Sequence, residues 1–372
     1  LDSTSGEFRF IRIESVIYGA GRVRVLAHEL ERRGCRRALV VTGASLGGSE
    51  LIERVREAAG AAYAGLFTGV RQHVPAGNVE ALAAEARRID ADGLVSFGGG
   101  SPIDCAKAAA MRLIGERELV HVAIPTTLSA AEYTPFGGVT DEHTREKGGV
   151  GDPRLQPRVV ILDPELTAAT PAWLWASTGM RALDHAVECS YSARHQPLSD
   201  VLAARAIAML TEHLKPSLQG GADETEHRMR CQLAAWFSIF GAINTRSGIS
   251  HALGHQIGPF WNVPHGVTSC ITLPHVMRFM AGVAPERFGP IAEGFGIRFE
   301  AGSAHAAALE CADRTARFIA QFEVPTRLRD AGVPREEIGK IANSVLSEVE
   351  RAGVAGKKIT AQDLIALLEA AY

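Results

Sequence analysis

The first half of the chain alternates short apolar runs with stretches whose apolar residues recur at helical spacing. The runs are RALVVTG (37–43), DGLVSFGGG (92–100), LVHVAIPTT (119–127) and RVVILDP (158–164). Between the first two lie SELIERVREAAG (49–60) and GNVEALAAEARRID (77–90), both patterned as amphipathic helices. Such alternation predicts an α/β domain built on a parallel, doubly wound sheet. After Asp163-Pro164 the texture changes, and helical patterns take over: WLWASTGMRALDHAVECSYS, LSDVLAARAIAMLTEHL, HRMRCQLAAWFSIFGAI, AHAAALECADRTARFIAQF, REEIGKIANSVLSEVER and TAQDLIALLEAAY. Two domains are therefore expected, an α/β domain over 1–163 and an all-α domain over 164–372, with the boundary near 160–170 and the two packed around a cleft.

Composition narrows the partners. A formal net charge of −3 gives no reason to expect nucleic acid or an anionic membrane surface. No apolar run approaches the ~18–20 residues of a membrane span, and LDSTSGEFRF lacks the make-up of a signal peptide. The six cysteines lie singly, with no CxxC, as expected of reduced thiols in a cytoplasmic protein.

LVSFGGGSPIDCAKAAA (94–110) runs from an apolar strand through three glycines into a helix. Glycines let the backbone approach a pyrophosphate closely, and the unpaired N–H groups of a helix start point at the anion. Ser101 is placed to cap that helix or to bind phosphate, and Asp104 fits a capping box or a cofactor hydroxyl. The glycines can equally serve only a tight turn. AIPTTLS delivers Thr126, Thr127 and Ser129 to the same edge, where ligands of open α/β sheets bind. GxGxxG is absent, so this is a variant dinucleotide site, and GAGRV (19–23) reads as a turn.

The second chemical feature is HALGHQIGPFWNVPHG (251–266). His251 and His255 are one helical turn apart and share a face. His265 follows a stretch with Pro259 and Asn262 that reads as a loop. GMRALDHAVE adds His185 one turn after Arg181, so His185, His251 and His265 could converge from two helices and a loop as a zinc or ferrous site. Buried, hydrogen-bonded core histidines are the plainer alternative.

The set GGGSxxDxAK (98–107), IPTT (124–127), DPxLT (163–167), ALxHAxE (182–188), HxxxHxxG…PHG (251–266) and LPHVMRF (273–279) resembles the iron-containing alcohol dehydrogenase superfamily over nearly the whole chain. The resemblance implies a dehydroquinate synthase-like fold and hydride transfer between NAD(P) and a small substrate. Metal-dependent members carry Asp four residues before the helix histidine; this chain has Arg181, which cannot ligate. Asp184 does not replace it, being rotated roughly 100° from His185 around the helix. The short loop PTTLSAAE and GVRQHVP, with His73, resemble the maleylacetate reductase branch, whereas PHG (264–266) is the metal enzymes' form.

The resemblance implies reduction of a small acidic enone such as maleylacetate, giving 3-oxoadipate, by NADH or NADPH without an essential metal. Arg181 and protonated imidazoles would stabilise the enolate, and the arginine could grip a carboxylate. The other reading of Arg181 is a salt bridge with Asp184 on a solvated helix face. His255 would donate the proton, with His185, His251, His265 and His73 around the reaction. The cofactor residues implied are Thr42, Gly99, Gly100, Ser101, Asp104, Thr126, Thr127, Leu128 and Lys147. Gly43 stands where relatives place an aspartate that repels a 2'-phosphate, so NADPH is tolerated. A homodimer is expected. Were a metal found, His185, His251 and His265 are the expected ligands. The competing readings are a metal-dependent alcohol dehydrogenase or aldehyde reductase, a dehydroquinate-synthase-like lyase and a non-catalytic nucleotide binder.

Overall fold

The computed structural model describes residues 5–372 except 145, 146, 246, 247 and 355, and not the side chain of Lys147. Its contacts divide the chain into two units: Phe10–Thr170, and Pro171–Tyr372 together with the stretch ending at Arg9. That stretch belongs with the helical unit because Phe8 stacks on Phe240 and Arg9 exchanges backbone hydrogen bonds with the Asn244 amide, at 2.8 and 3.0 Å.

The strands of the first unit are β1 (Ser15–Tyr18), β2 (Ala38–Gly43), β3 (Tyr63–Val70), β4 (Gly93–Gly98), β5 (Val120–Pro125), β6 (Phe136–Thr140), β7 (Lys147–Gly151) and β8 (Val159–Leu162). Among the described residues, six of them form one sheet in the order β1-β8-β5-β4-β2-β3, all pairs parallel. The helices here are α1 (Leu26–Glu31), α2 (Ala44–Gly47), α3 (Glu50–Ala59), α4 (Ala76–Arg88) and α5 (Gly100–Leu113). Strand alternation sends Leu39, Val41 and Leu94 to one face, against Val79, Leu82 and Ala83 of α4 and Ala106 and Ala109 of α5. Val40, Val95, Phe97, Val122 and Ile161 go to the other, against Leu26 and Leu30 of α1 and Ile52 and Val55 of α3. Burial on both faces explains the nearly continuous apolar runs. The chain passes from β2 outward to β3 and then back to β4 on the other side of β2. The β2–β4 pair is thus the topological switch point.

The pattern did not reveal β1, β3 or the antiparallel hairpin β6–β7. SVIY is short and YAGLFTGV is largely half-buried, so neither shows the dense apolar signal of a central strand.

The second unit is helical: α6 (Ala172–Ser190), α7 (Pro197–His213), α8 (Glu224–Ile239), α9 (Ala242–Thr245), α10 (Ile249–Trp261), α11 (His265–Val283), α12 (Gly289–Gly294), α13 (Ala304–Ile319), α14 (Ile338–Ala352) and α15 (Ala361–Ala370). The loop expected before His265 is a correction. Helix α10 runs through Pro259 to Trp261, Asn262 closes it in the left-handed conformation (φ 53°), and Pro264 leads straight into α11. His265 is thus the first residue of a helix, a position that Pro264 pre-sets. No helix among the described residues is long and apolar enough to cross a membrane.

Candidate active site

The glycine segment sits at the carboxyl end of β4, beside the switch point. Gly98 has φ 143°, open to glycine, and a Cβ there would lie 2.8 Å from Pro102 Cγ. A Cβ on Gly99 would meet Thr127 Cγ2 at 3.1 Å, and one on Gly100 would meet Ser129 Oγ at 3.3 Å. The loops after β4 and β5 are therefore in close contact, locked by the 2.9 Å bond from Thr126 N to Gly98 O. Helix α5 starts with Gly99 at its N-cap and no side-chain cap. This corrects the capping roles expected of Ser101 and Asp104: Ser101 lies inside the first turn, and Asp104 Oδ2 accepts from Gly138 N at 3.1 Å, anchoring β6. The α5 amides are left facing the cradle.

Two hydroxyls there, Thr42 Oγ1 at the end of β2 and Ser129 Oγ, are buried with no hydrogen-bond partner among the described residues. A buried polar atom without a partner is costly and signals a missing ligand or water. Uncapped amides, glycines and unpaired hydroxyls together fit the phosphates of a dinucleotide. Leu128 is fully buried and contributes an apolar wall. Lys147 begins β7 opposite Thr140, and its side chain lies outside the described residues. His73 is half-buried in the turn after β3 with φ 61°; its carbonyl accepts from Thr140 Oγ1 at 2.6 Å.

In the helical unit, four imidazoles gather from three helices. His185 of α6 lies 5.4 Å from His251 between ring centroids. His251 meets His255 edge-on at 4.9 Å and His265 edge-on at 5.4 Å, while His255 and His265 stack at 5.4 Å. Close approach of α11 to α10 requires Gly254, where a Cβ would lie 3.1 Å from His265 Nδ1. Burial pushes His185 and His251 well below the usual imidazole range, and the Arg181 charge adds to it. Both are neutral near pH 7, which corrects the expectation of protonated imidazoles at these two positions.

Arg181 is 2% exposed, so the solvated-face reading of it does not hold, although its pairing with Asp184 does. Its Nη1 donates to Asp184 Oδ2 at 3.1 Å and to Ser269 Oγ at 2.9 Å, and its Nη2 donates to His265 Nε2. Asp184 Oδ2 also accepts from the hydroxyls of Ser250 (2.8 Å) and Ser269 (2.6 Å). Burial holds the Asp184 carboxyl above its ordinary range. Glu188, one turn on, accepts from the backbone N–H groups of Gly248, Ser250 and His251, fastening the start of α10. Burial, and then the neighbouring Asp184, push Glu188 up to about 8, against the Ser250 and Gly248 donors and the Arg181 charge.

Among the described residues, the grouping with metal-ligand spacing is His251, His255 and His265, whose ligand atoms lie within 4.8 Å of one another. His185 lies outside this group, its ring 5.4 Å from that of His251 between centroids. The residues do not fit a dication where the resemblance implies a carboxylate one turn before His185. Arg181 stands at that position, and its Nη2 engages the lone pair of His265 Nε2.

Sequence reasoning missed Ser250, Ser269 and Glu348. Glu348 Oε1 lies 2.7 Å from His255 Nδ1. None belongs to a motif with an independent signal; only the fold brings them to Asp184 and His255.

Residues 14–164 match the family described as iron-containing alcohol dehydrogenase, and residues 175–372 match the C-terminal domain of that family. The lactaldehyde reductase of Escherichia coli (strain K12) is 32% identical, with 98% of this chain and 99% of that protein covered. Maleylacetate reductase 2 of Cupriavidus pinatubonensis is 34% identical, with 76% of each covered. The crystal structure of an iron-containing alcohol dehydrogenase from Corynebacterium glutamicum superposes with a TM-score of 0.84 at 30% identity, over 100% of this chain and 97% of that one. With two matched domains, a glycine-rich strand-to-helix junction and a four-histidine cluster in place, this chain belongs to the iron-containing alcohol dehydrogenase family and is an oxidoreductase.

Proposed function

We propose that the chain is an NAD(P)H-dependent reductase of a small acidic enone such as maleylacetate, forming 3-oxoadipate without an essential metal. The observation that carries this reading is Arg181, a buried guanidinium bonded to His265 Nε2 where a metal would need that lone pair. Gly99, Gly100, Ser101 and the start of α5 hold the cofactor phosphates, with Thr42, Thr126, Thr127 and Ser129 beside them. Gly43 ends β2 without a carboxylate, so NADH and NADPH are both accepted. Lys147 is assigned to the cofactor ribose by resemblance, and His73 to the substrate loop.

The bound dihydronicotinamide supplies the hydride. Its addition to one alkene carbon shifts negative charge to the conjugated ketone oxygen, and a proton then joins the other alkene carbon. Arg181 supplies fixed positive charge, part of it balanced by Asp184, and its buried Nε–H has no partner among the described residues. Neutral His185 and His251 each offer an N–H to a developing oxyanion. His255, in its imidazolium form with Nδ1–H on Glu348, donates the proton from Nε2 and is left neutral.

The grouping of His251, His255 and His265, with the likeness to lactaldehyde reductase, favours a second reading. This is a metal-dependent alcohol dehydrogenase or aldehyde reductase in which His255 becomes a ligand. The discriminating experiment is NAD(P)H oxidation by chelated enzyme with maleylacetate and with simple aldehydes. Turnover of maleylacetate alone supports the first reading; activity on aldehydes that returns only with added metal supports the second.

A further inference from the structure

Helix α14 buries Ile338, Ile341, Ala342, Val345 and Val349 on one face. Glu348 lies on the flank of that face, between its apolar stripe and solvent. From there its Oε1 reaches His255 Nδ1 at 2.7 Å, and both side chains are 32% exposed. The His255 ring is already held on two sides, stacked on His265 and edge-on to His251. The carboxylate fixes the remaining freedom, rotation about the ring's own axis. An imidazole that donates Nδ1–H to a carboxylate is held in one orientation; its doubly protonated form carries the transferable proton on Nε2, and loss of that proton leaves the Nδ1–H tautomer. The Glu348 charge also acts on Arg181, tying the dyad to the buried cation.

We propose that Glu348 is the positioning residue for His255, setting the tautomer and aim of the proton donor. This deepens the reading above and rests on it. Glu348 touches no reacting atom; it acts through the imidazole. The alternative is a partly solvated ion pair that merely joins α14 to α10.

The test is a cycle of Glu348→Ala, Glu348→Asp, His255→Phe and the double variant His255→Phe/Glu348→Ala. It reads kcat, KM, NAD(P)H affinity and the 15N spectrum of the His255 ring. His255→Phe should lower kcat by about 100- to 10,000-fold, the range for a positioned acid. Glu348→Ala should lower kcat by about 10- to 100-fold, less than loss of the acid itself, with KM and NAD(P)H affinity little changed. Glu348→Asp should restore part of that loss, and Glu348→Ala should add under about twofold once His255 is gone. The spectrum should show Nδ1 protonated in the wild type and a tautomer mixture in Glu348→Ala. An equal loss with and without His255, or an Nε2–H tautomer in the wild type, overturns the assignment. If His255→Phe leaves kcat unchanged, the proton-donor reading fails and takes this proposal with it. If His255→Phe is crippling while Glu348→Ala changes neither kcat nor spectrum, only Glu348 loses its role.

Discussion

Replacing Arg181 by methionine removes a guanidinium from a site where it and Asp184 are 2% and 0% exposed. The Nη1 bonds to Asp184 Oδ2 and Ser269 Oγ disappear, together with the donation to His265 Nε2. Asp184 keeps the hydroxyls of Ser250 and Ser269 but loses its ion-pair partner. Breaking a buried pair from one side costs about 3–5 kcal/mol, because the remaining charge stays desolvated. Burial already raises the Asp184 carboxyl, so the orphaned acid takes up a proton and holds the loss near the lower end. Adding Asp184→Asn removes the second charge, while the amide oxygen still accepts from both serines. The double variant should therefore recover to within about 1 kcal/mol of the wild type. Urea unfolding followed by circular dichroism at neutral pH measures all three proteins. A loss below about 1 kcal/mol in the single variant, or a double variant no more stable than the single, would refute the reasoning.

Two further outcomes follow from the α/β unit. Gly99→Val should abolish NADH and NADPH binding in calorimetric titration, since even a Cβ there sits 3.1 Å from Thr127 and the branches project into the phosphate cradle; unchanged affinity for both would mean the segment is only a turn. His121, 3% exposed in β5 with Nε2 at 2.8 Å from Ser96 Oγ, is pushed down to about 3, by burial first and the Lys107 charge second. Its native form stays neutral while the unfolded chain takes up a proton below about pH 6.5, so this stabilisation is lost as pH falls from there towards 3. His121→Gln lacks that term, and its stability deficit relative to the wild type should shrink by about 1 kcal/mol between about pH 6 and about pH 5. Parallel stability–pH curves would contradict it.

The cradle was legible because strand, glycines and helix are contiguous: Gly98–Gly100 mark the junction of β4 and α5 without help from distant residues. The central strands were legible for a related reason, since burial on both faces leaves Leu39–Val41 and Val122–Ile124 uniformly apolar. At the sheet margins that signal fades, and β1 and β3 went unseen. Pro259 misled in a specific way. Proline removes one N–H donor and disfavours a helix, yet α10 continues through it for two more residues, to Trp261. At the site, Arg181 and His185 shared a helix face by spacing alone, and that much could be read. The burial of Arg181, its hold on His265 and the reach of Glu348 across 93 positions depend on how α6, α10, α11 and α14 pack. No periodicity in the chain encodes those approaches.

The central claim is that Arg181 stands in place of the metal in an enzyme that reduces an acidic enone. The most direct measurement is the rate of maleylacetate-dependent NAD(P)H oxidation after exhaustive chelation, with the metal content of the same sample determined by mass spectrometry. The account predicts substoichiometric metal and an undiminished rate with maleylacetate. One tightly held iron or zinc per chain, with turnover lost on its removal and regained on its return, would contradict it.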